Sequence, residues 1–165
     1  MMSYQLLVSY DQVPPSENHI RVSVGPRLIY TREAVQFESG FMRHLSEHHA
    51  LDLGAILGEF KKDPYMVFEV TIQIYNPVFT EGFKSGKAKS PYRMQDCANR
   101  QKLVLDALAR SFGVDQARRC IIDDSRFVRV IIEQHHSHKP RINVCMRKLT
   151  GWWDEEGRDA AAKPI

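Results

Sequence analysis

The alternation of apolar and polar positions is clearest over residues 65–75, where Met66, Phe68, Val70, Ile72 and Ile74 fall on one side and Val67, Glu69, Thr71, Gln73 and Tyr75 on the other. A period of two is that of a β-strand with one face against a core. Residues 4–10 (YQLLVSY) fit a shorter strand, closed by Asp11 and by Pro14-Pro15, which lack the amide hydrogens a ladder needs. Ile20–Val24 and Arg27–Tyr30 flank Gly25-Pro26 and predict a small hairpin. Phe127–Glu133 and Arg141–Arg147 predict two late strands around the turn HHSHKP, paired with each other as an antiparallel hairpin.

Helical spacing appears in two places. After Thr31, a ready N-cap, Ala34, Phe37, Phe41 and Leu45 share one face while Arg32, Glu33, Glu38 and Glu47 take others, which predicts a helix over 32–49. From Asp96 to Phe112 the residues Cys97, Val104, Leu105, Leu108 and Phe112 form an apolar face, and Gly113 is a natural stop. The stretch 51–62 carries Leu53, Ile56, Leu57 and Phe60 but is interrupted by Gly54 and Gly58, so it reads either as a short helix or as an irregular packing segment. The whole predicts an α+β fold, a mixed β-sheet packed against two main α-helices, in a single domain over 1–150 with a mobile tail over 151–165.

Composition fits that size. The 165 residues are 43% hydrophobic and 26% charged, the make-up of a chain that buries one real core. No apolar run approaches the roughly 20 residues that cross a bilayer, and the N-terminus lacks the layout of a signal peptide, so we expect a cytoplasmic protein with no membrane partner. Cys97, Cys120 and Cys145 form no close pair and read as reduced, partly buried thiols. A net charge of +3 permits a polyanionic partner without requiring one.

Where the charge sits is more informative. Along the helix over 96–112, Asp96, Asn99, Lys102 and Asp106 line one stripe opposite the apolar face, an arrangement that an ordinary solvated face with a Lys102–Asp106 pair explains equally well. Asp123-Asp124 stand just before a late strand, where a carboxylate from another part of the chain can meet Asp96 to hold a hard cation, although such pairs are commonly turn caps. The loop 83–93 (FKSGKAKSPYR) brings Lys84, Lys87, Lys89 and Arg93 up to Asp96, a charge set suited to phosphates. His135, His136 and His138 and the pair Trp152-Trp153 are more simply read as solvated turn residues and as a tail docked on its own domain.

Taken in order, PPSEN (14–18), GPRLIYTREA (25–34), the basic loop, DCANRQKLVLDAL (96–108) and IDDSRFVRV (122–130) resemble the RusA family of Holliday-junction resolvases, over about residues 4–148. The resemblance implies a structure-selective endodeoxyribonuclease that works with Mg²⁺, or Mn²⁺ as a substitute, on four-way or other branched DNA in recombination, repair or phage replication. It implies a homodimer, because paired nicks in two strands need two sites related by symmetry. By position Asp96 and Asp124 match metal-binding aspartates and Lys102 the essential lysine. Asn99 and Asp106 match polar helix positions, and Asn18 matches the asparagine of the N-terminal loop.

The sequence departs from the family at Ala98, where a second catalytic aspartate is expected and where alanine offers no ligand. Asp123 is then a candidate third ligand. The departure keeps a second function open: a catalytically impaired protein of the same fold that binds branched DNA, or that binds and inhibits a host or competitor protein.

Overall fold

The computed structural model describes residues 5–15, 21–24, 26–76 and 97–152. In chain order they form β1 (Gln5–Tyr10), β2 (Arg21–Val24), β3 (Arg27–Tyr30), α1 (Arg32–His48), α2 (Ala50–Lys62), β4 (Phe68–Asn76), α3 (Cys97–Ser111), β5 (Phe127–His136) and β6 (Arg141–Lys148). A four-stranded mixed sheet in the order β1-β6-β4-β5 packs with the helices around one core, and β2 and β3 make a separate antiparallel pair. The α+β fold expected from the sequence is therefore the one observed.

The late strands do not pair with each other. β6 runs antiparallel to β1 and β4, β5 runs parallel to β4, and β4 thus lies between β5 and β6. The physical reason is the apolar character of β4: Phe68, Val70, Ile72 and Ile74 are almost wholly buried, so the strand belongs inside the sheet with both edges paired. A parallel neighbour needs a long crossover, and the connection from β4 to β5 carries α3. The link from β5 to β6 then passes the end of β4, where the Ser137 amide donates to the Asn76 carbonyl at 2.9 Å. β5 extends three residues beyond its expected end, so His135 and His136 are strand residues, and His135 stacks on Tyr75 at 4.7 Å.

α1 begins as expected: the Ala34 amide donates to Thr31 Oγ1 at 3.2 Å, and Ala34, Phe37, Phe41 and Leu45 are buried. Glu38, expected on a polar face, is buried where α3 packs against α1, and the Arg110 guanidinium pairs with it there. Gly40 leaves room for the Tyr10 hydroxyl, whose ring lies between Phe37, Phe41 and His44; a Cβ at position 40 would collide with it. The 51–62 stretch resolves as α2, which buries Leu53, Ile56 and Phe60. Burial of that stripe outweighs the roughly 1 kcal/mol that each helical glycine costs. α3 buries Leu103, Val104 and Leu108, Phe112 just beyond it is buried as well, and the chain turns away at Gly113, whose φ of 90° a side chain would strain.

No helix among the described residues is long and apolar enough to cross a membrane. The basic loop at 83–93, Asn18, Asp96 and everything beyond Trp152 lie outside the described residues.

The helix-free face of the sheet mixes exposed apolar side chains such as Leu7 and Ile131 with a paired polar group at Glu69. Glu69, only 3% exposed, accepts from Arg129 Nη1 at 2.9 Å and from Arg147 Nε at 2.8 Å. The Arg129 hydrogen bond first, then Arg147, holds the Glu69 carboxyl below the ordinary glutamate value. A depressed folded-state pKa contributes stability that is complete above the unfolded-state value near 4.5 and is lost as pH falls through the lower folded value. Glu69→Gln should therefore melt below wild type at neutral pH, with the gap closing as pH falls below 4.5. Melting curves across that range check this; a gap that does not change with pH would assign the effect to packing instead.

Candidate functional site

The polar stripe of α3 faces the short 3₁₀ turn Asp124–Arg126 that opens β5. That turn is built by Asp123: its side chain accepts from the Ser125 amide at 3.0 Å and also from the Ser125 hydroxyl. One oxygen of Asp123 is thus a turn cap, the ordinary use of aspartate at such a position. Capping at Asp123 fixes the backbone that presents Asp124 toward α3.

Lys102 is the centre of the cluster. Its Nζ lies 3.1 Å from Asp106 Oδ1 and 3.9 Å from Asp124 Oδ2. The second oxygen of Asp106 accepts from the Tyr30 hydroxyl at 3.4 Å, and the Arg21 guanidinium stands 5.2 Å from the centre of the Tyr30 ring. Tyr30 and Arg21 face each other across the β2–β3 ladder. A hydrogen bond to Tyr30 is the main cause that holds Arg21 even more firmly protonated than an ordinary arginine. Two strands, a helix and a turn therefore converge on two cations and two carboxylates.

Exposure bears on what this cluster adds to the fold. The Lys102 and Asp124 side chains are 60% and 55% exposed, and Asp106 is 16% exposed. Exposed ion pairs contribute about 0–1 kcal/mol to stability, so the Lys102–Asp124 contact adds little to the fold. It leaves the amine of Lys102 and the carboxylate of Asp124 open to solvent beside each other. Such a pair can take an anionic group at the amine and a hard cation at the carboxylate.

Of the residues singled out in the sequence, the structure brings together Lys102, Asp106 and Asp124. Asp96 immediately precedes α3 in the chain but is outside the described residues, as are Asn18, Lys84, Lys87, Lys89 and Arg93. Ala98 and Asn99 fall in the first turn of α3, their side chains outside the described set. Among the described residues no group of three or more His, Cys, Asp or Glu side chains is placed to hold a metal ion. Asp124 is the described member of the Asp96–Asp124 pair. Its half-exposed carboxylate, with Lys102 at 3.9 Å rather than in tight contact, has the donor chemistry that Mg²⁺ requires.

Arg21 and Tyr30 were not legible as site residues. Tyr30 sits 76 positions from Asp106, and only the fold shows that the hairpin lies against α3. A concavity of about 690 Å³ on the helix-free face of the sheet includes none of Lys102, Asp106 or Asp124 in its lining. Within that concavity Glu69 is paired with Arg129 and Arg147.

A model of the family described as Endodeoxyribonuclease RusA matches residues 12–147, a span that contains the α3 stripe, the Asp123-Asp124 turn and the β2–β3 hairpin. No curated protein matches the chain.

Proposed function

The chain belongs to the RusA endodeoxyribonuclease family, whose members are nucleases of Holliday junctions, and from that premise we propose that it is a Mg²⁺-dependent, structure-selective endonuclease that nicks four-way and other branched DNA as a homodimer. The observation that carries the reading is the place of Lys102, between Asp106 and Asp124 where α3 meets the start of β5.

Each residue then has a task. Asp96 and Asp124 would hold the divalent ion, Mg²⁺ or Mn²⁺, which when bound supplies a Lewis acid for the phosphodiester and lowers the pKa of a water. Lys102 stabilises the negative charge that develops on the phosphate, a contribution that grows in the transition state. Asp106 holds the Lys102 ammonium in place, and Asp123 fixes the turn that carries Asp124. Lys84, Lys87, Lys89, Arg93, Asn18 and Asn99 would contact the DNA backbone, which positions the substrate without reading its sequence.

Ala98 favours a second reading, in which the chain binds branched DNA or a protein partner without cutting. One assay separates the two. The purified protein is incubated with a labelled synthetic four-way junction, or a linear duplex of the same sequence, in Mg²⁺ or Mn²⁺. Paired, metal-dependent nicks in the junction alone are the expected result. Tight junction binding with no cleavage in either metal would establish the binder, and a protein partner with no affinity for DNA would establish an inhibitor.

A further inference from the structure

The β2–β3 hairpin contributes two side chains to the cluster that the reading above leaves without a task. A two-stranded hairpin is marginal alone, and Tyr30 ties this one to α3. Its hydroxyl donates to Asp106 Oδ2 at 3.4 Å, which leaves Asp106 Oδ1 for Lys102 Nζ at 3.1 Å. The Tyr30 contact is long for an O–H···O hydrogen bond. Its ring carries the Arg21 guanidinium at 5.2 Å, within cation–π distance, on the directly opposed strand position. Arg21 is exposed, so its remaining N–H groups face solvent at the same site.

We infer that Tyr30 is a positioning residue that sets two cations for one DNA backbone, Lys102 through Asp106 and Arg21 on its ring, with Arg21 contacting a phosphate next to the one that is cut. The inference rests on the nuclease reading for its catalytic half and on DNA binding alone for the other. An arginine held on an aromatic face loses less freedom on meeting a phosphate and presents a fork that fits its oxygens. With an oxygen engaged on each side, the carboxylate of Asp106 has less freedom to swing away with Lys102.

Tyr30→Phe keeps the ring and removes the hydroxyl; Arg21→Gln removes the charge. For Tyr30→Phe the expected result is a kcat about tenfold lower with KM unchanged. The same substitution made in an Asp106→Asn background should add no further loss, because the effect runs through Asp106. Arg21→Gln should weaken junction binding and lower the slope of log affinity against log salt by about one. Full kcat in Tyr30→Phe, additive losses in the double variant, or an unchanged salt slope in Arg21→Gln would each overturn the inference. Should the wild-type protein bind junctions without cutting them, the nuclease reading has failed, and two binding-state measurements decide instead. The salt slope of Arg21→Gln must still fall. The Lys102 ammonium signal in proton–nitrogen NMR, sharp in wild type, must broaden in Tyr30→Phe; unchanged signals would reject the positioning role.

Discussion

Lys102→Ala should cut a four-way junction at least about a hundredfold more slowly than wild type, with junction binding reduced far less. Stabilisation of charge that appears only in the transition state is worth about 10²–10³ in rate when a single donor is removed. Lys102 is placed for that use, with its amine 60% exposed and shared between Asp106 and Asp124. The fold should tolerate the change, since an exposed i,i+4 pair contributes only a few tenths of a kcal/mol. Melting curves should thus move little while single-turnover rates collapse. Lys102→Arg should rescue poorly, because a planar guanidinium does not replace a compact ammonium held at Asp106 Oδ1. Cleavage by Lys102→Ala at the wild-type rate would remove the lysine from the chemistry.

Ala98→Asp should strengthen metal use, lowering the Mg²⁺ concentration that gives half-maximal cleavage by about tenfold. Position 98 lies in the first turn of α3, two residues after Asp96 and at the helix end where a carboxylate is also favoured by the helix dipole, by about 0.3–1 kcal/mol. The substitution should therefore cost no stability. A gain confined to metal dependence would show that the natural chain works with fewer ligands than its family pattern. A chain silent before the change and active after it would show that the missing ligand is the whole deficit. No change in metal dependence or rate would place position 98 away from the ion.

Much of the fold was legible because short-range periodicity dictates it. The alternation of Phe68 to Ile74 and the Thr31 cap with its Phe37–Phe41–Leu45 stripe map onto β4 and α1, although β4 begins three residues later than the expected 65–75 strand and Val67 and Glu69 on its other side are buried too. The pairing of the late strands was not legible, because adjacency in sequence favours a hairpin and only the burial of β4 on both edges forces it between β5 and β6. The burial of Glu38, off the apolar stripe of α1, is not legible for a similar reason: its partner Arg110 lies 72 positions away on a helix whose packing the sequence does not state. At the candidate site the spacing of Lys102 and Asp106 gave their contact on α3. The approach of Asp124 to Lys102 followed from the family resemblance and not from any local pattern. Tyr30 and Arg21 were missed since an aromatic and a basic residue on a short exposed hairpin carry no chemical signature until α3 stands beside them.

If Asp96 and Asp124 grip one divalent cation next to Lys102, Mn²⁺ titration followed by its paramagnetic resonance reveals it without any need for cleavage. Wild type should bind Mn²⁺, and Asp96→Asn and Asp124→Asn should each weaken binding of the same ion about tenfold or more. Wild-type Mn²⁺ affinity in either single variant would contradict a common site.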